Sequence, residues 1–337
     1  MTVRIVTAPR ASHLIHAIVA GQISRRPECR HWLVPANACD AVYLSLMSAG
    51  ASFDVVDISP DNYCLDVDQA IAKLSSGRPH AGLIYIHGYG ASGSAASDIG
   101  RLREAAGSQT VIIDDRCLCS PAVDPEPAGV GQADAIVYST GYGKVLDLGR
   151  GGHAFVREQL TLQPAAGVFD PGAEAGLIEA LRTEVDPDSQ LQAGNDRQVS
   201  DWLASWLPIA SGPVWKTLRR DVEQALPEVL DHKRRLNEAY SAQLPAQIVL
   251  PGAEHLWRYN IRVPDRDRLL EKVFEAGLFA SAHFRSFRSH RDARRCPVAH
   301  EVQCSTVNLF NDKNFSLDQA ARVSEIVVEH LAHASAG

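Results

Sequence analysis

Residues 111–115 (Val-Ile-Ile-Asp-Asp) and 139–144 (Ser-Thr-Gly-Tyr-Gly-Lys) decide how this chain folds and what it can bind. The first stretch is an apolar run that ends in two carboxylates, and the second directly follows another apolar run, 133–138. Buried parallel strands produce such runs, and open α/β sheets bind ligands at the carboxyl ends of their strands. We therefore expect a carboxylate, a hydroxyl with glycine-rich backbone, and a lysine at one edge of a sheet.

This set of groups suits pyridoxal 5′-phosphate (PLP). A carboxylate keeps the pyridine nitrogen protonated, a hydroxyl and backbone N–H groups bind the phosphate, and a lysine forms a Schiff base with the aldehyde. Residues 138–145 also resemble a Walker A loop, which binds nucleotide phosphates. However, Tyr138 occupies the place of that motif's first glycine and Val145 the place of its Ser or Thr, so we exclude that motif.

Short apolar runs alternate with helix-like stretches through the first half of the chain. Predicted strands cover 31–34, 53–56, 82–87, 110–113, 133–138 and 153–156, and predicted helices cover 41–48, 66–74 and 95–106. This alternation favours right-handed crossovers between parallel strands. The predicted fold is therefore α/β, with a doubly wound, mostly parallel sheet.

A smaller α+β pattern follows after residue 245. Its predicted strands are 256–263 and 307–310, and its predicted helices are 266–276 and 317–331. We therefore predict a large cofactor-binding domain over residues 1–235 and a small C-terminal domain over residues 236–337.

Composition excludes several classes of protein. The 337 residues include 33 Lys and Arg against 40 Asp and Glu, a net charge of −7, which does not favour binding to nucleic acid. No apolar run approaches the roughly 18 residues of a membrane-spanning helix, and the N-terminus is not typical of a signal peptide. The seven scattered cysteines favour a reducing compartment over a disulfide framework. We expect a cytoplasmic enzyme that binds neither nucleic acid nor membrane.

A second motif favours a different cofactor. Residues Gly88 to Gly93 match G-x-G-x-x-G, follow a predicted strand and precede a predicted helix, with Asp114 and Asp115 about 20 residues further on. This pattern predicts an NAD-dependent oxidoreductase. The motif lies at the third strand rather than the first, and His87 stands where an apolar residue is usual. A simple strand-to-helix turn is the alternative.

Several motifs, taken in order, resemble the DegT-type sugar aminotransferases, a branch of the fold-type I PLP enzymes. The resemblance covers nearly the whole chain. The matching segments are 34–39, 49–58, 86–90, 113–115, 139–144 with the Gly pair 151–152, 194–201 and 307–319. The segment 86–90 corresponds to the family's "vHlyG", which accounts for the glycine run without a dinucleotide.

The resemblance implies roles for individual residues. Lys144 would be the Schiff-base lysine, and Asp115 would pair with the pyridine nitrogen. Ser139 and the backbone of Ala11 and Ser12 would bind the phosphate. In the family the cofactor lies at a dimer interface, so the resemblance also implies a homodimer with shared active sites.

The chain departs from the family at several of these positions. Cys39 replaces the aromatic residue that stacks on the ring, Leu118 replaces a glutamine, and Ala11 replaces a threonine of the phosphate loop. Asp196 stands where the neighbouring subunit supplies an asparagine to the phosphate, and Asn195 beside it is the candidate substitute.

Two features remain open from the sequence. His87 is either a hydrogen-bonded histidine at a strand end or a residue near the cofactor ring. The basic run 283–295 is either a solvated loop or an anion-binding arm for a substrate phosphate or carboxylate.

The predicted function is a PLP-dependent aminotransferase. It would move an amino group from an amino-acid donor to a keto group on a sugar or small polar metabolite. The alternatives are a PLP enzyme of another reaction type, such as a lyase or a condensing enzyme, and an NAD-dependent oxidoreductase that uses the 88–93 turn.

Overall fold

The computed structural model describes residues 2–91, 93–125, 132–164, 212–251, 254–283 and 295–334. Within these ranges the strands are β1 (Val3–Ala8), β2 (His31–Pro35), β3 (Ser52–Val56), β4 (Gly82–Ile86), β5 (Val111–Asp115), β6 (Ala135–Ser139), β7 (Gly152–Arg157), β8 (Tyr259–Arg262), β9 (Ala280–Ser281) and β10 (Thr306–Leu309). The helices are α1 (Ala11–Arg25), α2 (Asp40–Ser48), α3 (Val67–Leu74), α4 (Ala95–Ala106), α5 (Trp215–Gln243), α6 (Arg266–Glu275), α7 (Pro297–Ser305) and α8 (Leu317–Ala334).

Seven strands form one sheet in the order β1-β7-β6-β5-β4-β2-β3. Strand β7 is antiparallel to both of its neighbours, and the pairs from β6 to β3 are parallel. Strands β2, β4, β5 and β6 are buried along their whole length, which explains their continuous apolar runs. The prediction of a doubly wound, mostly parallel sheet is confirmed.

Hydrophobic cores cover both faces of this sheet. Ile113 of β5 packs with Leu14 and Ile18 of α1 on one face. Ile112 packs with Ile99 and Leu102 of α4 on the other face. Because side chains alternate along a strand, the two acidic residues that end β5 point to opposite faces of the sheet.

The sequence pattern does not predict β1 or α1. Strand β1 is only half-buried and pairs antiparallel with β7, with Ala8 opposite Gly152. Helix α1 is buried around most of its circumference, so it lacks the polar face by which an amphipathic helix is recognised. The N-terminal segment thus forms an edge strand of the large sheet and the helix that covers one of its faces.

A three-stranded sheet, β8-β10-β9, forms the core of the C-terminal part. Helix α5 joins it to the larger sheet. Its first half packs Leu218 and Val222 on Leu146, and its second half packs Leu236 and Tyr240 into the C-terminal core. The predicted domain boundary at residue 235 falls between these two contacts and stays a prediction. Among the described residues, no helix is both long and apolar enough to cross a membrane.

Asp57 joins the large sheet to helix α7. Its buried carboxylate accepts hydrogen bonds from the backbone N–H groups of Val298 (3.0 Å) and Ala299 (2.9 Å), in the first turn of that helix. We expect Asp57→Ala to lower the free energy of unfolding by about 3 kcal/mol, because buried donors lose a charged acceptor. Urea unfolding measures the change.

The matched control is Asp66→Ala. Asp66 caps α3 through the Gln69 N–H group in an exposed position, so this loss is expected to be only about 1 kcal/mol. Equal effects of the two substitutions would contradict the linking role of Asp57.

Lys233 of α5 is 1 % exposed and donates a hydrogen bond to Asn311 Oδ1 at 3.1 Å. Burial, reinforced by the nearby Arg258 cation, lowers its pKa from 10.5 to about 7. The folded chain therefore binds fewer protons than the unfolded chain between these values, so stability rises with pH across that window. We expect the free energy of unfolding to increase by about 2 kcal/mol from pH 7 to pH 9 through this residue alone.

The measurement is the pH dependence of urea unfolding in the wild type and in Lys233→Met. The methionine variant keeps the length of the side chain but cannot titrate, so it isolates this contribution from the other groups. A slope that is the same in both proteins would show that Lys233 is charged in the folded state.

Candidate active site

The carboxyl ends of β4, β5 and β6 lie side by side and place Asp115 at the centre of that edge. Asp115 pairs with Ile86 on one side and with Val137 on the other. It is 4 % exposed, and its Oδ1 accepts a hydrogen bond from the Cys117 N–H group at 2.9 Å. This bond holds the carboxylate through one oxygen, on the face of the sheet that α1 covers.

Three of the predicted site residues influence the Cys117 thiol. Burial raises the pKa of the Cys117 thiol well above its usual value. Asp115 and Cys39 raise it further, whereas the Lys144 ammonium lowers it. Asp115 has the largest of these side-chain effects and also accepts the Cys117 N–H bond, so these two residues lie side by side. Cys39 and Cys117 are both half-buried.

The turn that carries Lys144 is held from several sides. The Lys144 N–H group donates to the Gly141 carbonyl at 3.3 Å, and Gly143 adopts a φ of 71°, which favours glycine. The Gly143 N–H group donates to Asp147 Oδ2 at 2.8 Å, and its carbonyl accepts from Trp257 Nε1 at 2.8 Å. The lysine itself is half-buried.

Ser139 and the start of α1 lie close together. Ser139 pairs with Gly152 at the ends of β6 and β7, and Gly152 also pairs with Ala8. A Cβ atom on Gly152 would lie 2.5 Å from the Ala11 nitrogen, so glycine is required for the first turn of α1 to fit. Arg10 occupies the N-cap position and makes no side-chain capping bond.

These groups fit PLP. An uncapped helix N-terminus beside a serine hydroxyl is a site for a phosphate group, and here Ala11 and Ser12 are buried in that first turn. A buried carboxylate and a lysine stand at the adjacent strand ends, as the pyridine nitrogen and the aldehyde of the cofactor require.

His87 does not join this group. Its Nδ1 donates to the Ala91 carbonyl (2.8 Å) and its Nε2 bonds Asp114 Oδ1 (2.7 Å), on the face of the sheet opposite to Asp115. Burial lowers the pKa of His87, but Cys119 and Asp114 outweigh burial and raise it well above its usual value. Both ring nitrogens are therefore engaged. These bonds support the strand-end alternative for His87, and its contact with the cofactor ring stays a prediction.

The first two glycines of the 88–93 motif serve packing. A Cβ atom on Gly88 would lie 2.0 Å from the Tyr63 carbonyl oxygen, and one on Gly90 would lie 2.9 Å from the Leu118 carbonyl oxygen. The close approach of the chain's own backbone explains these two glycines without a dinucleotide. The interpretation of this turn as an NAD site is therefore not favoured.

Residues of the C-terminal part lie next to the site; the basic run indicates His283, whereas the local sequence pattern gives no signal for Trp257. Trp257 contacts the turn of Lys144, as described above, and packs edge-on against His283 with ring centroids 5.5 Å apart. The His283 carbonyl accepts from Tyr89 Oη at 2.8 Å. Burial lowers the pKa of His283, and the Arg258 and Lys144 cations contribute to the same shift. Trp257 thus connects His283 to the turn of Lys144.

Two predictions fall outside the described residues. Asn195 and its segment 194–201 belong to the range 165–211, and most of the basic run belongs to the range 284–294. Of that run, His283 packs against Trp257 and Arg295 is exposed. The roles of Asn195 and of the remaining basic residues stay predictions.

No protein-family model and no curated protein matches this sequence. Solved structures do match its fold. The 3-amino-5-hydroxybenzoic acid synthase shares 17 % identity over 98 % of this chain and 86 % of its own, with a TM-score of 0.64. PseC of Helicobacter pylori, an aminotransferase involved in pseudoaminic acid biosynthesis, shares 10 % identity over 98 % and 87 %, with a TM-score of 0.67. This chain has the fold of these enzymes.

An enzyme with a different activity also has this fold. The GDP-4-keto-6-deoxy-D-mannose-3-dehydratase of E. coli, solved with bound hydrated PLP, matches with a TM-score of 0.65. It shares 13 % identity over 96 % of this chain and 87 % of its own. The expected fold-type I PLP-transferase architecture is thus confirmed, and the reaction follows from the site rather than from the fold.

Proposed function

We propose that this chain is a PLP-dependent aminotransferase. It takes an amino group from an amino-acid donor and passes it to a keto group on a sugar or small polar metabolite. The observation that carries the proposal is that Asp115, Ser139 and the turn of Lys144 lie at the carboxyl ends of neighbouring strands, where the first turn of α1 packs on Gly152. The fold shared with aminotransferases supports it.

Each of these residues would hold one part of the cofactor. Asp115 pairs with the pyridine nitrogen, Ser139 and the N–H groups of Ala11 and Ser12 bind the phosphate, and Lys144 binds the aldehyde carbon. Cys39 contacts the ring as a small apolar surface in place of an aromatic residue. When bound, PLP supplies an electron sink for the bonds to the substrate's α-carbon.

The protein's own part in the reaction is proton transfer and charge stabilisation. Lys144 Nζ takes the proton from Cα of the amino donor and, in the reverse direction, returns a proton to the carbon of the keto acceptor. Asp115 remains ionised because its partner is a protonated ring nitrogen. Trp257 and Asp147 fix the turn that aims Lys144.

The test is spectroscopic and chemical. The protein incubated with PLP should show a visible absorption band, and borohydride should fix one pyridoxyl group on Lys144, as located by peptide mass spectrometry. L-glutamate alone should bleach the visible band, and a keto acceptor should restore it. A fixed group on another lysine, such as the buried Lys233, or no visible band at all, would contradict the proposal.

A second candidate is a PLP-dependent lyase or dehydratase on the same residues. The observations in its favour are the dehydratase that shares this fold and the cysteine at the ring-stacking position. The two candidates differ in one measurement. Amino transfer stops after one turnover with the donor alone and leaves an aminated cofactor, whereas a lyase continues to release product without any acceptor.

We further propose a cytoplasmic homodimer in which the partner subunit covers the active site. Tyr142, two residues before Lys144, is 90 % exposed, which is unusual for an aromatic residue beside a buried site. Sedimentation velocity should give twice the mass of the chain. A monomer at assay concentrations that is fully active would contradict the shared site.

A further inference from the structure

His31, Asp54 and His80 lie at the amino-terminal edge of the parallel sheet, the edge opposite to Lys144. His31 is the first residue of β2, Asp54 lies within β3, and His80 precedes β4 by two residues. His31 of β2 pairs with Ser52 of β3, so the two side chains point to the same face of the sheet. Asp54 lies two residues after Ser52 on β3, and its side chain therefore points to that face as well. Three separate segments thus each bring one side chain to one place.

The distances between these side chains are those of a small coordination site. One ligand atom from each residue can be chosen so that all three lie within 4.8 Å of one another. His31 Nε2 lies 3.1 Å from Asp54 Oδ2, and the two imidazole rings have centroids 5.4 Å apart. Ligands of a tetrahedral zinc ion are separated by about 3.3 Å. Small side-chain movements therefore suffice to bind one ion.

The hydrogen bonding of the two histidines favours a metal. His31 Nδ1 bonds Ser52 Oγ at 2.9 Å, which leaves Nε2 facing the cluster. A hydrogen bond to the other ring nitrogen orients metal-binding histidines in the same way. His80 is 5 % exposed, and among the described residues neither of its buried ring nitrogens makes a hydrogen bond of good geometry, although the backbone of Arg78 acts on the ring. An unsatisfied buried polar atom is destabilising by about 1–3 kcal/mol, and coordination would remove that penalty.

The electrostatic surroundings of the cluster are mixed. Burial, His31 and Arg78 lower the pKa of His80, whereas Asp54 and the Arg78 backbone raise it. Burial raises the pKa of Asp54, but His31, Lys73 and Arg78 outweigh burial and lower it. The Arg78 guanidinium is 4.0 Å from Asp54 and 55 % exposed, so it can move into solvent when a cation binds.

We propose that His31, Asp54 and His80 bind one divalent transition-metal ion, with Zn²⁺ as the best match. Two imidazoles and a carboxylate are ligands that zinc prefers, and three protein ligands leave one position for water. The Asp54 side chain is 39 % exposed and provides the path of entry. The ion would tie the edge strand β3 to β2 and to the segment before β4. This inference is independent of the proposed amino transfer, because the site lies at the opposite edge of the sheet.

The test is zinc binding by the full-length, PLP-loaded protein, measured by isothermal titration calorimetry and by metal analysis after dialysis. We expect one ion per chain and a higher melting temperature with Zn²⁺. The variants His80→Ala and Asp54→Asn should each weaken binding more than about 100-fold, and Ser52→Ala by roughly tenfold. Asp54 is partly exposed, so Asp54→Asn remains a test even if His80→Ala misfolds.

Two controls separate this site from other metal-binding groups. Cys304 and His300 form an exposed pair on α7, and Cys304→Ser should leave the stoichiometry unchanged. Co²⁺ substituted at the site should show tetrahedral absorption bands without a thiolate charge-transfer band. Unchanged zinc binding in both Asp54→Asn and His80→Ala, or a thiolate band, would overturn the proposal. So would the absence of bound zinc, which would mean that water alone occupies the space beside His80.

Discussion

The variant Lys144→Ala is expected to lose at least about 10³-fold in the rate of amino transfer. One side chain both attaches the cofactor and carries the proton at the substrate's Cα, so its removal takes away covalent and general-base catalysis together. The measurement is the single-turnover rate of bleaching by L-glutamate. Added small primary amines should restore part of the rate, because they can accept the proton that Lys144 Nζ no longer takes.

The matched control is Lys216→Ala, which removes an exposed lysine of α5. Its rate should equal that of the wild type. The proposed role of Lys144 would be contradicted if Lys144→Ala kept more than about a tenth of the wild-type rate, or if borohydride still fixed a pyridoxyl group on the variant chain.

The variant Asp115→Asn is expected to lower kcat/KM by about 10²–10³-fold. Removing the negative partner of a buried charged group costs about 3–4 kcal/mol, which corresponds to that range of rates. The amide oxygen can still accept the Cys117 N–H bond, so the fold of the strand end should survive. The measurements are steady-state kinetics and the pH at which the visible band of the bound cofactor changes.

Asp114→Asn is the control for this experiment, because the neighbouring carboxylate faces the other side of the sheet. Asp114 bonds His87 and Arg116, at 2.7 and 2.9 Å. Its loss leaves a buried cation unpaired and should lower the free energy of unfolding by about 3 kcal/mol. Cofactor binding by the folded protein should change little. If the two variants exchanged these effects, the assignment of Asp115 to the ring nitrogen would be contradicted.

Much of the large sheet can be predicted from the sequence because buried parallel strands impose a simple pattern. The runs 111–115 and 133–138 are apolar since both of their faces are covered, and polar residues follow where the strands end. The same pattern fails for β1 and α1. Strand β1 is half-exposed and pairs antiparallel at the edge of the sheet, and helix α1 is buried on nearly all sides. Neither element therefore has a distinctive period of hydrophobic residues.

Residue type and strand position alone thus determined that Lys144, Asp115 and Ser139 stand at one edge of a parallel sheet, because parallel strands end together. Only the tertiary structure decided what surrounds them. In the folded chain His87 lies on the face of the sheet opposite to Asp115, α1 packs against Gly152, and Trp257 contacts the turn of Lys144. The tertiary structure also brings His31, Asp54 and His80 together from three segments. The physical reason is that local periodicity fixes which face of a strand is buried, whereas contacts between distant segments depend on packing.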